Sequence, residues 1–264
     1  MPAPEFNRAQ WPAPPRVHTL ITTRNGGVSR APYDGGQPGA SGWNLGARVG
    51  DAPQCVAENR QILRAVVGYP IEYMHQVHGA AVADLDIAAT APEREADAAV
   101  ASAPGRVCVI LVADCLPVLL CNRAGTAVAA AHCGWRGLAG GVLERTVAAL
   151  CAKHGDAPDA LMAWLGPAIG PLHFEVGPEV RAAFVAAEPS DAAAFTPSTG
   201  AGGGEKWRAD LFALARARLQ RVGVTSVHGG GDCTYAQPQR YYSHRRATHA
   251  GTTTGRMAAA VWLA

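Results

Sequence analysis

The run RVCVILVADCLPVLLCNRAGTAVAAAH, residues 106–132, decides the fold. Arg106 to Ala113 is almost unbroken apolar sequence with β-branched residues, which reads as a strand buried on both faces. Pro117 to Cys121 and Thr126 to Ala131 read as two more strands. Asn122-Arg123-Ala124-Gly125 joins them, with turn chemistry supplied by Asn and Gly. Taken as a four-residue hairpin, this segment pairs Cys121 with Thr126. Paired residues then keep a constant sum, so Cys115 falls opposite His132. Opposed residues share a face with Cβ atoms about 4.5–5.5 Å apart. A thiol and an imidazole at that separation can share a metal ion or act as nucleophile and base. Pro117 cannot donate to a ladder and implies an edge position or a bulge.

Outward from this hairpin the chain mixes strands and helices without a strict βαβ rhythm. His18–Thr23 is a short β-rich run, and Arg24–Gly42 is dense in Gly, Pro and Ser and reads as a long loop. A helix is expected from about Ala52 to Val66, capped by Asp51, with Pro53 in its first turn. Ile71–Asp86 reads as two short strands broken near Gly79. Val142, Leu143, Thr146, Val147 and Leu150 recur at helical spacing, so a helix is expected up to about Lys153. Asp210 caps a helix bearing Leu211, Leu214, Ala215 and Leu219, and Met257–Leu263 is a strand. Residues 1–15 read as a loose tail and 199–204 (TGAGGG) as an exposed flexible loop. With no repeat and no linker, residues 1–264 are expected to form one catalytic α+β domain, a layered mixed sheet flanked by helices.

At 264 residues the chain is long enough to bury a large core without disulfides. Its net charge of +2 gives no argument for nucleic acid or a membrane surface. Seven cysteines, an odd number with no C-x-x-C pair, speak against a disulfide framework and for a reducing compartment. The N-terminus is too polar and proline-rich for a signal peptide. The longest apolar stretch, Val107–Cys121, is interrupted by Asp114 and Pro117 and is too short to span a bilayer. The expectation is a cytoplasmic monomer acting on a small molecule.

A third ligand beside Cys115 and His132 is offered by His75-Gln76-Val77-His78. On a strand, His75 and His78 point to opposite faces, so one of them serves. His78 precedes Gly79, where a strand end lets a side chain reach into a cleft.

Taken jointly, several segments resemble a known family. They are TTRNGGVS (22–29), WNLGARVGD (43–51), ENR (58–60), HQVHG (75–79), ADCLPVLL (113–120), AHCGWRG (131–137), GPAIGPLHFEVG (166–177), DCTY (232–235), YYSHRR (241–246) and TGRMAAAVWL (254–263). The family goes under several names: multicopper polyphenol oxidase or laccase-domain protein, purine nucleoside phosphorylase, and peptidoglycan editing factor. The resemblance implies a layered α+β fold related to certain cysteine deamidase toxins, with zinc held by His78, Cys115 and His132. It also implies phosphorolysis of purine nucleosides, with adenosine, inosine or guanosine and phosphate as small-molecule partners. Cys133 stands where the family usually has Ala and should face away from His132. Leu172 and His173 stand where the family often has Cys.

Two imidazoles and one thiolate leave a fourth tetrahedral position, the open arrangement of a catalytic zinc. Zinc lowers the pKa of a bound water to about 7, and attack on C6 of adenine is deamination, as in the zinc deaminases. Phosphorolysis needs an anion site, for which Arg24, Arg60, Arg136, Arg245 and Arg246 are candidates. Asn44, Arg60 and Gln76 are the residues expected to contact substrate. The rival readings are a copper-dependent polyphenol oxidase, a metal-free Cys115 nucleophile and a muramyl-peptide editing hydrolase. Nine histidines without an H-x-H pair suit several copper centres poorly, so zinc is favoured over copper.

Overall fold

The structure, a computed structural model, describes residues 3–90, 93–198 and 204–264. The strands among these are β1 (Phe6–Asn7), β2 (Val17–Thr22), β3 (Asn25–Ser29), β4 (Val82–Asp84), β5 (Ala98–Ala101), β6 (Cys108–Val112) and β7 (Leu116–Asn122). They continue with β8 (Val128–Cys133), β9 (Leu161–Leu165), β10 (Glu175–Val176), β11 (Phe195–Ser198), β12 (Lys206–Ala209), β13 (Ser226–Gly229) and β14 (Met257–Leu263). The helices are α1 (Pro53–Val67), α2 (Trp135–Ala139), α3 (Val142–Ala152), α4 (Pro178–Val185), α5 (Leu211–Arg221) and α6 (His244–His249).

Two sheets stack face to face. One runs β1-β2-β14-β6, the other β13-β9-β7-β8-β5-β4, and β10-β12-β11 form a small third sheet. The larger sheet is mixed: β4 and β5 are parallel, as are β9 and β13, and its other pairings are antiparallel. The long apolar runs follow from this stacking. Ile110 and Val112 of β6 and Ala259 and Val261 of β14 meet Leu119 and Cys121 of β7 between the two sheets. Val109, Ala258 and Ala260 point the other way and pack with Leu63 and Val67 of α1. Val118 and Leu120 of β7 turn toward Val147, Leu150 and Leu214 of α3 and α5. A strand covered on both faces needs no polar alternation, which is why residues 106–121 are so uniformly apolar. The result is the expected layered α+β arrangement of mixed sheets flanked by helices: helix, sheet, sheet, helices.

The hairpin itself differs from the simple pairing. Cys121 pairs with Val128 and Pro117 with His132. Asn122 is the reason. Its Oδ1 accepts from the N–H of Thr126 and Ala127, and its own N–H donates to Ala127 O, so the loop closes two residues later than a four-residue turn. A shift of two preserves side-chain faces where a shift of one inverts them. Cys115 is therefore a diagonal neighbour of His132 rather than its direct partner. Pro117 lies in an interior strand, but it faces Gly166, just past the end of β9: Gly166 N–H donates to its carbonyl, and the N–H that proline lacks falls beyond the paired residues of that strand.

Other local expectations are also corrected. Residues 6–13 are not a loose tail: β1 pairs with β2, and Ala9, Trp11 and Ala13 pack on the core. The stretch 24–42 contains β3. Residues 71–81 carry no strand beyond an isolated bridge at His75. The N-cap of α1 is Ala52. Asp51 instead accepts from Ser29 Oγ and Asn44 Nδ2, joining three segments that a cap would not reach. Asp210 does cap α5, accepting from Phe212 and Ala213 N–H. The expected loop at 199–204 lies, apart from Gly204, outside the described residues. Among the described residues no helix is long and apolar enough to cross a membrane.

Candidate metal centre

One end of the larger sheet gathers the chemistry. Cys115 immediately precedes β7, His132 lies near the end of β8, and Asp97 immediately precedes β5. His78 sits in the turn before β4. The ligand atoms of His78, Cys115 and His132 all lie within 4.8 Å of one another, a metal-binding arrangement. Cys115 Sγ stands 3.9 Å from His78 Nε2. Tetrahedral bonds of about 2.0 Å to nitrogen and 2.3 Å to sulfur would set such donors about 3.4–3.6 Å apart, so the trio fits a single ion with little adjustment.

Backbone and second-layer contacts fix the trio. Asp97 is fully buried. Its carboxylate accepts from the N–H groups of Val77 (3.1 Å), His78 (3.0 Å) and Gly79 (2.7 Å), and Oδ1 lies 2.8 Å from His132 Nδ1. That contact assigns Nδ1 as the protonated nitrogen and leaves Nε2 for the centre. Asp97 thus orients one histidine by its ring and the other by its backbone. His78 is in the left-handed region at φ 60°, and Asp114, next to Cys115, at φ 84°. Such residues cost about 1–3 kcal/mol each and persist where surroundings over-determine them. Asp97 holds His78. Asp114 is held by Thr234 Oγ1 and Ser243 Oγ, which donate to its two carboxylate oxygens, and by Arg245 N–H. Gly134 leaves room beside them: a Cβ there would meet Cys115 Sγ and His78 Cδ2, each at 3.0 Å.

The charges suit metal binding. Burial alone pushes the Cys115 thiol up, but the His132 charge and hydrogen bonds from His132 and His78 outweigh it, and the thiol is brought down. Burial likewise lowers His132, and the facing Cys115 and Asp97 raise it. The cysteine is therefore disposed toward the thiolate, its metal-binding form; ligation by His132 would take the neutral ring, with the proton kept on Nδ1 against Asp97 and released from Nε2. Burial raises Asp97, while the His132 hydrogen bond and the N–H groups of residues 77 and 79 bring it below its ordinary value.

Two chambers meet at the trio, both bordered by His78, Ala113, Cys115 and His244. The first, about 420 Å³, adds His132, Gln76, Met74, Arg48, Arg60 and Arg256. The second, about 330 Å³, adds Trp135, Ile169, Phe174, Leu211, Arg136 and Arg245. Both volumes lie within the range of small-molecule sites.

The structure sorts the candidates. Arg60 borders the first chamber, stacked 3.8 Å over the Tyr73 ring, with Nε donating to Leu45 O. Its terminal nitrogens have no hydrogen-bond partner among the described residues. Gln76 borders the same chamber, but both ends of its amide are engaged by the backbone of Leu111. Asn44 is not brought to the cavity. It is fully buried, donating to Gly46 O and Asp51 and accepting from the N–H of Gly46 and Arg256. Arg24 and Arg246 are occupied with backbone carbonyls elsewhere. Cys133 faces the apolar core on the other side of β8. His75 borders the first chamber outside the trio. Sequence reasoning missed Asp97, Arg48, Arg256 and His244. Asp97 lies in the unremarkable run EADAAV, where nothing in the spacing marks it; His244 and Arg256 lie inside motifs quoted only for their resemblance.

The chain is similar to known proteins over nearly its whole length. The family model described as multi-copper polyphenol oxidoreductase laccase matches residues 18–264. A purine nucleoside phosphorylase of Pseudomonas aeruginosa is 50% identical over 255 residues, covering 96% of each chain. One of Escherichia coli is 48% identical over 256 residues, covering 96% of this chain and 97% of its own. The crystal structure of a Neisseria meningitidis protein, 47% identical, superposes with a TM-score of 0.85 over 98% of both chains.

Proposed function

Because the chain belongs to the multi-copper polyphenol oxidoreductase laccase family, and relatives covering nearly all of it are named purine nucleoside phosphorylases, we propose that it is a zinc-dependent purine nucleoside enzyme. It splits adenosine, inosine or guanosine with phosphate and also deaminates adenosine.

One observation carries this reading: two chambers of unlike chemistry meet at the trio. A nucleoside has the same division. In this reading the purine lies in the second chamber against Trp135, Ile169 and Phe174, where aromatic and aliphatic walls favour a flat heterocycle. Phosphate lies in the first chamber, held by Arg60, whose planar fork suits a tetrahedral oxyanion. Arg256 adds positive charge; Arg48 is already paired with Glu93. The anomeric carbon then falls at the junction.

His78, Cys115 and His132 would hold the zinc, which when bound supplies Lewis acidity. Asp97 keeps the His132 tautomer and the His78 turn in place. A laccase needs several copper centres; among the described residues one ligand cluster is found. Seven free cysteines fit a reducing cytoplasm, and the enzyme is proposed to act there as a monomer.

Incubating the zinc-loaded protein with inosine, adenosine and guanosine, with and without phosphate, tests the proposal. Chromatography should show free base and ribose 1-phosphate only with phosphate, and inosine from adenosine in either buffer. Intact nucleosides throughout would refute the nucleoside reading and bring the muramyl-peptide and oxidase readings forward.

A further inference from the structure

We propose that His244 is the general acid that protonates the departing purine, an inference that rests on the phosphorolysis reading above.

The observation is positional. Four residues border both chambers: His78, Ala113, Cys115 and His244. Ala113 carries no proton, and His78 and Cys115 belong to the trio. His244 is the remaining group at the junction that can carry and release one. Its ring nitrogens have no hydrogen-bond partner among the described residues, and the residue is exposed and lines both cavities. His132, by contrast, is committed to Asp97.

The backbone holds His244 in a fixed relation to the trio. Ser243 Oγ donates to Asp114 Oδ2 at 3.0 Å, and Arg245 N–H donates to the same oxygen at 2.6 Å. The residues on either side of His244 are thus tied to the one residue that precedes Cys115. Tyr242, fully buried, anchors the approach to α6. A surface histidine without a task needs no such double tether.

The chemistry requires an acid here. A phosphate oxygen forms a bond to C1′ of the ribose while the C1′–N9 bond breaks, and its electron pair passes into the purine. The base leaves readily only if N7 receives a proton as that charge develops. His244 imidazolium donates it. Phosphate loses its own proton on becoming an ester, and that proton restores His244, so the cycle closes with no other reactant. Such acid catalysis contributes about 10²–10⁴-fold.

The leaving group supplies the test. In 7-methylguanosine N7 is already alkylated and positively charged, so the base departs without protonation. Rates of phosphorolysis of inosine and of 7-methylguanosine are measured for the wild-type protein, His244→Gln and His244→Ala, with zinc content determined for each. The variants should lose about 100-fold or more in kcat/KM on inosine and stay within about threefold of wild type on 7-methylguanosine, with zinc content unchanged. Equal losses on both nucleosides, or full inosine activity in the variants, would overturn the assignment. If the wild-type protein cleaves neither nucleoside, the phosphorolysis reading has failed and this inference falls with it.

Discussion

Asp97 Oδ1 lies 2.8 Å from His132 Nδ1 while the same carboxylate accepts three successive N–H groups around His78. One buried side chain therefore sets the orientation of two of the three donors. Outer partners of this type typically change metal affinity by about 10–100-fold. Asp97→Asn keeps the size of the side chain but replaces one oxygen by a donor that faces N–H groups. Zinc affinity, measured by competition with a chromophoric chelator, should fall by at least about tenfold. Unchanged affinity would show that the geometry of the centre does not depend on Asp97.

The protein should carry about one zinc per chain, as three donors with an open fourth position imply. Met74 borders the first chamber, and a thioether beside two imidazoles and a thiolate is a donor set that copper also accepts. Elemental analysis of protein purified without added metal decides between them. Copper at full occupancy would sink the zinc assignment.

Much of this was readable in the sequence, for identifiable reasons. The strands at 108–112 and 257–263, and the helices at 53–67, 142–152 and 211–221, follow from apolar runs and helical spacing that tertiary packing reinforced. Cys115 and His132 were legible as partners because the hairpin shift was even. A side-chain hydrogen bond from Asn122, not a turn propensity, set that shift, and local pattern does not reveal it. His78 was placed at a strand end, whereas it occupies a left-handed turn made tolerable by Asp97, a contact 19 residues away in sequence. β5 was missed because its sequence, AAVA, has neither alternation nor β-branched enrichment. Asn44 and Gln76 are polar residues in motifs, which local sequence cannot separate from substrate contacts, yet the Leu111 backbone claims the Gln76 amide and Gly46, Arg256 and Asp51 claim that of Asn44.

Two substitutions should separate the proposed activities. Cys115→Ala removes the thiolate and should abolish both phosphorolysis and deamination, with zinc content falling in parallel. Arg60→Ala should raise KM for phosphate and lower phosphorolysis about 10–100-fold, consistent with about 1.5–3 kcal/mol for a charge-assisted contact, and leave deamination much less affected. Product analysis in phosphate and phosphate-free buffers reads both. An equal loss of the two activities in Arg60→Ala would remove Arg60 from the phosphate site.

A pH effect is expected far from the centre, where Lys153 Nζ bridges Asp84 and Asp86. Burial alone would raise the Asp86 carboxyl, but hydrogen bonds from Lys153, Ser102 Oγ and the N–H groups of Ala103 and Ser102 hold it well below the usual range. A depressed folded value means that the stabilisation is complete above the unfolded value, about 3.9, and drains away as pH falls from there toward the folded value. Burial lowers Lys153 and the two aspartates raise it further than that. Its share is present below the ordinary lysine value, about 10.4, and is lost as pH rises through the folded one. Asp86→Asn should cost about 1–2 kcal/mol near neutrality after allowance for solvent screening. Urea midpoints should show that gap narrowing below about pH 4. A gap independent of pH would contradict the ion-pair account.

Strand β6 is an outer strand of its sheet, and an outer strand exposes N–H and C=O groups to any passing chain. Gln76 occupies both of these groups at Leu111 with its own amide. It acts as a stopper two residues from His78, so the same short segment that carries His78 also blocks strand pairing at this point of the sheet edge. One glutamine thus spends both ends of its amide on closing a sheet edge, and a Gln76→Ala variant would reopen it at Leu111.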